Sequence, residues 1–370
     1  MKDLDAILRA RAHARGPCVL ATVVAVAGSS YRKPGARMLM GEDGWLAGGV
    51  SGGCLETDIV RKAFFRTSTA PCVLRYDSTG EGTDDEGGLS FALGCNGVVD
   101  VLLERFEAGA EEALVFAAEA RNQGQRAVVA TVYQGPANAV ATRWMLRDDG
   151  LEAGHVEGAL GEAVRAAARE ALEQGQTWSG PCGGAQVLME VVEPPHSLVL
   201  FGSGFDVAPV VTQAAGLGWR VTVVADRPME TLRRRFPLAH ALVSSKARDA
   251  AEAVHLTPRT MAVLMTHSLP QDQVLLAGLL PRPLRYLGVL GPRARTEKLL
   301  AAMTPAPSDA QLEKLHAPVG LDVGAEGAEE IALSIVAELQ AVVSDREGGK
   351  LRERQAPIHT VAQPLVRKLA

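Results

Sequence analysis

A chain of 370 residues, 47% of them apolar and 22% charged, is long enough for two or three domains with cores of their own. A net charge of −5 without a basic, aromatic-laced face argues against nucleic acid, and no apolar run is long enough to span a bilayer. The polar start Met1-Lys-Asp-Leu-Asp-Ala does not fit a secretory signal, and an odd set of five scattered cysteines without zinc spacing points to reduced thiols in the cytoplasm.

Residues Met1 to Ala14 read as a short amphipathic helix ended by Gly16-Pro17, and Cys18 to Ala27 as a buried strand. The Gly-rich stretch from Gly28 to Glu56 follows. Ser29, Ser30, Arg32, Lys33 and Arg37 gather donors and positive charge around the turn at Pro34-Gly35. Asp43-Gly44 predicts a hairpin between Met38-Leu-Met and Trp45-Leu-Ala. Ser51-Gly52-Gly53-Cys54 then leads into Leu55, Ile59 and Ala63 at helical spacing, so a glycine loop delivers Cys54 to the start of a helix over Glu56 to Arg66. Backbone N–H groups and the positive end of the helix dipole gather there, which suits an anion and favours a thiolate. A glycine-rich turn with an inert cysteine is the plain alternative. Cys72-Val-Leu-Arg-Tyr is the next strand, Ser78 to Gly88 an acidic, glycine-rich mobile loop, and Gly94-Cys95-Asn-Gly97 a turn into a strand from Val98.

The next segment reads as a worn copy of the first. Ala130-Thr-Val matches Ala21-Thr-Val, Met145 to Gly158 follows the pattern of Met40 to Gly52, and Leu160, Val164, Ala168 and Leu172 repeat the helix. Gly180-Pro-Cys182-Gly-Gly parallels Gly94-Cys95-Asn-Gly97, and Leu160 falls where Cys54 would be. An internal duplication over about 15–107 and 124–193 follows, the first copy being the working half. Chance likeness between short α/β units is the alternative.

Glu193-Pro-Pro-His196 reads as a linker between residues 1–193 and a second domain over 196–345, with a polar tail over 346–370. In that domain, strand candidates at Ser197, Arg220, Ala241, Met261 and Tyr286 alternate with helical stretches, which predicts a doubly wound parallel sheet. The fold class is therefore α/β, a duplicated N-terminal α/β domain followed by a Rossmann-like C-terminal sheet. Gly202-x-Gly204 lies in the first strand-to-helix turn, with Val207 where a third small residue is usual, and Asp226 ends the next strand at the distance suited to a ribose hydroxyl. A second phosphate site is expected at Gly291, with Arg293 and Arg295 either serving it or standing as surface charges. His267 follows the Met261 strand at its C-terminal end, where ligands bind in such sheets, and reads either as a ligand contact or, as the plainer account, as a satisfied loop histidine. Ser308 with Gln311 offers a capping box, and Glu329 to Ser344 is a long final helix. Cys18 and Cys72 sit in apolar runs and read as packing residues, whereas Cys54, Cys95 and Cys182 neighbour glycines and are accessible for chemistry.

The run Gly28-Ser-Ser-Tyr-Arg-Lys-Pro-Gly-Ala-Arg-Met with Val50-Ser-Gly-Gly-Cys-Leu-Glu56 resembles the XdhC/CoxI family of accessory proteins for molybdenum hydroxylases. Family-like blocks continue at Leu93 to Gly97, Leu198 to Gly204, Tyr286 to Arg295 and His316 to Glu326, in family order. The resemblance implies a chaperone, not a conventional enzyme, that binds molybdenum cofactor (molybdopterin or its dinucleotide), protects it during sulfuration and transfers it to an apo molybdenum hydroxylase. A cysteine desulfurase is a further expected partner, and a homodimer the expected assembly. The cofactor would be bound by Ser29, Ser30, Arg32, Arg37, Ser51, Gly52, Gly53, Cys54, Gly202, Gly204, Asp226, Arg293 and Asp322. Asp322 and Glu326 would hydrogen-bond a pterin ring, or Glu326 would cap the last helix. The soft thiolates of Cys54, Cys95 and Cys182 are the candidate molybdenum contacts. The rival readings are an NAD(P)-dependent oxidoreductase using the C-terminal domain, and a Rossmann assembly factor without a cofactor.

Overall fold

The structure is a computed structural model and describes residues 2–28, 31–78 and 97–355. It divides into two compact units at the Pro194-Pro195 step.

The first unit opens with helix α1 (Lys2–His13) and strands β1 (Cys18–Gly28), β2 (Arg37–Gly41) and β3 (Gly44–Gly48). Helix α2 (Glu56–Arg66) leads to β4 (Cys72–Asp77) and β5 (Gly97–Arg105). The loop expected from Ser78 to Gly88 falls, beyond Ser78, outside the described residues, as does Cys95. After helix α3 (Ala108–Asn122) the sequence of elements repeats: β6 (Ala127–Gln134), β7 (Arg143–Arg147), β8 (Glu152–His155), α4 (Gly158–Gln174), β9 (Trp178–Cys182) and β10 (Ala185–Val192). The two five-stranded sheets have the orders β3-β2-β1-β5-β4 and β8-β7-β6-β10-β9, antiparallel throughout.

Their central registers agree, and the outer pair β2–β3 carries a shift between Leu39 and Met40 that β7–β8 lacks. Thr22 lies between Arg37 and Leu102, and Thr131 between Arg143 and Leu188. A glycine recurs for one physical reason: Gly48 (φ 78°) and Gly154 (φ 80°) pass so near the preceding strand that a Cβ would lie 2.2 Å from the Arg37 carbonyl oxygen and 2.4 Å from that of Arg143. Ile59 and Ala63, on the buried face of α2, match Val164 and Ala168 of α4, so Ala159 rather than Leu160 takes the place of Cys54. Each of these helices covers one face of its own sheet, with Val19, Val23 and Val101 under α2 and Val128, Val132 and Val187 under α4. Val24 and Leu102 of one sheet meet Tyr133 and Leu188 of the other.

Across that meeting the repeats exchange charges. Arg37 of the first copy forms a two-pronged ion pair with Glu190 of the second, with Nη1 2.8 Å from Oε1, and Arg143 of the second pairs with Glu104 of the first. All four side chains are largely buried.

The second unit is a parallel sheet of β11 (Ser197–Phe201), β12 (Arg220–Ala225), β13 (Ala241–Ser244), β14 (Thr260–Leu264), β15 (Tyr286–Val289) and β16 (Leu315–His316). Between the strands run α5 (Val207–Gly216), α6 (Met229–Arg235), α7 (Leu269–Leu279), α8 (Arg293–Ala301) and α9 (Asp309–Leu312), and α10 (Ala328–Val343) closes the unit. Ser308 and Gln311 form the expected capping box on α9. The strand order is β13-β12-β11-β14-β15-β16, parallel at every pairing. Leu198, Leu200, Val221 and Val263 face α5 and α10, and Val199, Phe201, Ala262 and Leu287 face α7 and α8, so both faces are covered. The order reverses between β11 and β14, which opens a crevice at the carboxyl ends of those strands. No helix among the described residues is long and apolar enough to cross a membrane.

Candidate functional site

The crevice is shaped by the turn Gly202 to Asp206, between β11 and α5. Gly202 has φ 141°, and a Cβ there would lie 2.2 Å from the carbonyl oxygen of Met265, just beyond β14. Only a glycine lets the two strand ends approach so closely. On the β12 side, a cavity of about 460 Å³ is lined by Gly202, Ser203, Gly204, Asp226, Arg227, Arg235 and Ser245, among others. The structure thus brings together the three residues, Gly202, Gly204 and Asp226, that the sequence assigns to a nucleotide.

On the side of β14 and β15, a second cavity of about 330 Å³ is lined by Phe205, Asp206, His267, Leu290, Gly291, Pro292, Arg295, Glu326, Ala328 and Ile331. In its wall, His267 Nε2 lies 2.9 Å from Asp206 Oδ2. The carboxylate is buried and the imidazole half-exposed. Asp206 Oδ1 is buried with no hydrogen-bond partner among the described residues. This oxygen lies over Gly204, where a Cβ would meet it at 2.2 Å. His267 itself has φ 58°, in the left-handed region. Arg295 gives Nε and Nη2 to Asp272 Oδ2, at 3.1 and 2.6 Å, and Thr266 donates to the other oxygen at 2.5 Å.

Several expected binding residues are placed elsewhere. Arg293 is exposed and forms a surface pair with Glu297 at 3.2 Å, because one helical turn brings those positions together. Asp322 is exposed and lines neither cavity. Glu326 lines the second cavity, and the cap of α10 is Glu330, whose carboxylate accepts from the N–H groups of Glu326 and Gly327.

In the first unit, Arg37 is committed to Glu190 and to the Gly35 carbonyl, 2.9 Å away, and has no fork free for a phosphate. Burial would lower its pKa, but the charge and hydrogen bond of Glu190, with Glu104 beyond, raise it. Arg32 lies 3.3 Å from Asp3. Ser29 and Ser30 lie outside the described residues.

The Ser51-Gly52-Gly53 loop does gather its N–H groups around an anion, but the anion belongs to the chain. Glu56 accepts from the backbone of Val50, Ser51 and Gly53 at 3.2, 2.8 and 3.1 Å, and from the Ser51 hydroxyl. Burial alone would raise the Glu56 pKa; the Ser51 hydroxyl and the backbone N–H groups outweigh it and hold the carboxyl below its ordinary value. Gly52 lies against the Tyr31 ring, with a Cβ position 3.6 Å from it. Cys54 is exposed, its sulfur 3.6 Å from the Ser51 hydroxyl. Cys182 is half-buried, and burial pushes its thiol pKa up, the reverse of what a thiolate ligand needs. Among the described residues no three His, Cys, Asp or Glu side chains are grouped to hold a metal ion.

Comparison with known proteins assigns both units. Residues 11–77 match the XdhC and CoxI family, and residues 198–339 match the XdhC Rossmann domain. A Bacillus subtilis (strain 168) protein, named as one probable subunit of xanthine dehydrogenase, is 31% identical over 338 residues, which span 91% of this chain and 95% of that one. The chain belongs to the XdhC/CoxI family. Another relative, the molybdenum cofactor insertion chaperone PaoD of Escherichia coli (strain K12), is 29% identical over 283 residues, covering 62% of this chain and 87% of its own. A Bacillus halodurans crystal structure described as a xanthine dehydrogenase superposes with a TM-score of 0.76 at 32% identity, covering 94% of this chain and 97% of that one.

Within this XdhC/CoxI chain, two features of the site escape sequence reasoning, the pairing of Asp206 with His267 and the reach of Glu56 back to the glycine loop. Asp206 and His267 are 61 positions apart, and only the adjacency of β11 and β14 joins them. Glu56 carries a fainter signal, an acid in the first helical turn after a Gly-Gly loop, which is where a side chain can reach back to orphan N–H groups.

Proposed function

We propose that this chain is an accessory protein that binds molybdenum cofactor, as molybdopterin or its dinucleotide, shields it while it is sulfurated, and hands it to an apo-hydroxylase of the xanthine dehydrogenase type. The observation that carries this reading is the groove at the strand-order switch, where a glycine turn and Asp226 line one cavity in a family with a relative named as a molybdenum cofactor insertion chaperone. Backbone N–H groups from Gly202 onward, at the start of α5, suit a phosphate, and Asp226 suits a ribose hydroxyl of a nucleotide arm. Arg227 and Arg235 in the same wall add positive charge against that arm. Cys54, exposed on the loop ahead of α2, supplies one accessible thiol for a molybdenum contact. The recipient hydroxylase and a cysteine desulfurase are the transient partners.

The parallel sheet and Asp226 equally suit a nicotinamide dinucleotide, so an NAD(P)-dependent oxidoreductase is the second reading. One extraction separates them. The purified chain is denatured, and the released pterin fluorescence and NAD(P) are measured. Pterin without NAD(P) supports the cofactor chaperone, stoichiometric NAD(P) supports the oxidoreductase, and neither leaves an assembly factor that carries no small molecule.

A further inference from the structure

The Gly202–Asp206 turn has a cavity on either side, and the two differ in chemistry. The groove beside Asp226 is walled by backbone and by Arg227 and Arg235, which fits phosphate and sugar. The cavity beside Gly291 offers apolar surfaces from Phe205, Leu290 and Ile331, and acceptors from His267 and Glu326. A second phosphate there is disfavoured. The Glu326 carboxylate and the buried Asp206 repel an anion, and the guanidinium of Arg295 already serves Asp272. Apolar walls with acceptors among them suit a flat heterocycle that carries N–H donors.

We infer that the cavity beside Gly291 receives the heterocyclic end of the ligand whose phosphate lies on the Gly202–Gly204 turn, and that His267, held by Asp206, reads that ring. The inference rests on the reading of the Rossmann unit as the molybdenum-cofactor binder, since a pterin supplies such a ring with amide and amino donors. Residues of the same short turn wall the two cavities, Gly204 the one and Phe205 and Asp206 the other. The 2.9 Å contact uses His267 Nε2 as the donor to Asp206 Oδ2 and leaves Nδ1 as an acceptor. Asp206 is the positioning residue. Its second oxygen, buried over Gly204 and without a partner among the described residues, is a costly feature for stability alone.

The test uses the purified full chain with two probes, free pterin and AMP, each in equilibrium dialysis. Asparagine tolerates the left-handed backbone of residue 267, so His267→Asn should keep its fold. It is expected to weaken pterin binding about tenfold, the effect of one good hydrogen bond, and to leave AMP binding unchanged. Asp206→Asn is expected to weaken pterin too and to move the His267 tautomer away from Nε2–H in nitrogen-15 NMR spectra, a signature that loss of packing does not produce. Undiminished pterin binding by His267→Asn overturns this assignment and leaves the cofactor reading intact. Equal loss of both probes also overturns it, because the effect is then not local to one cavity. Wild-type protein that binds no pterin in dialysis and releases none on denaturation removes both.

Discussion

Cys54 is exposed on the loop ahead of α2, whereas Cys18 is buried at the start of β1. Their serine variants should therefore fail in opposite ways. Cys18→Ser places a hydroxyl among apolar neighbours and is expected to cost about 1 kcal/mol in thermal unfolding while leaving cofactor retention alone. Cys54→Ser is expected to leave the melting temperature unchanged and to reduce retained pterin or the activity of the recipient hydroxylase. Full retention and full activation by Cys54→Ser would take this thiol out of the mechanism. Glu56 gives a pH test of the same loop. Its folded pKa lies below the ordinary carboxylate value, so its stabilisation of the loop is complete above about pH 4.3 and is lost as pH falls through the folded value. Amide protection at Ser51 and Gly53 should drop over that acid range in the wild type. In Glu56→Gln it should be low at every pH. Protection independent of both would mean that the nest does not depend on this carboxylate.

At the level of elements, the duplicated strands are held by the exchanged ion pairs Arg37–Glu190 and Arg143–Glu104. Arg37→Met leaves Glu190 buried and unpaired, at an expected cost of about 3–5 kcal/mol in urea unfolding. The double variant Arg37→Met with Glu190→Leu should recover most of that loss, because no charge then remains without a partner. Arg143→Met should behave like Arg37→Met, since its environment is the equivalent one. A stable Arg37→Met that fails to retain cofactor would return Arg37 to the binding site. The repeat is legible in the sequence because valine-rich strands, Asp-Gly turns and four-residue helical spacing survive in both copies. The charge exchange is not, since each arginine reads as a free cation until its partner arrives from the other copy. Helix α3 also goes unread. Its buried residues are largely alanines, including Ala110, Ala113, Ala117 and Ala120, which contrast too little with their neighbours to mark a face. In the Rossmann unit the glycine turn and Asp226 are legible from strand-turn-helix order, but Arg293 and Arg295 are indistinguishable there. Two positions along one helix separate a surface pair from a cavity wall.

For the whole molecule, the distribution of apolar contacts sets what can fold alone. The clusters of the second unit draw only on residues between Leu198 and Val343, and those of the first only on residues between Leu4 and Val192. Every residue around the Asp226 groove likewise belongs to the second unit. Residues 195–355 expressed alone should therefore unfold in one cooperative transition and keep their nucleotide affinity. AMP at about 100 times its dissociation constant adds about 2.7 kcal/mol to a state that binds it, which for a unit of this size is a rise of roughly 5–10 °C in melting temperature. The same rise is expected for the corresponding transition of the full chain. A segment 195–355 that folds but shows no rise, beside a full chain that does, would mean that the first unit contributes to nucleotide binding. A segment that fails to fold would mean that its sheet needs the first unit for stability, despite having both faces covered by its own helices.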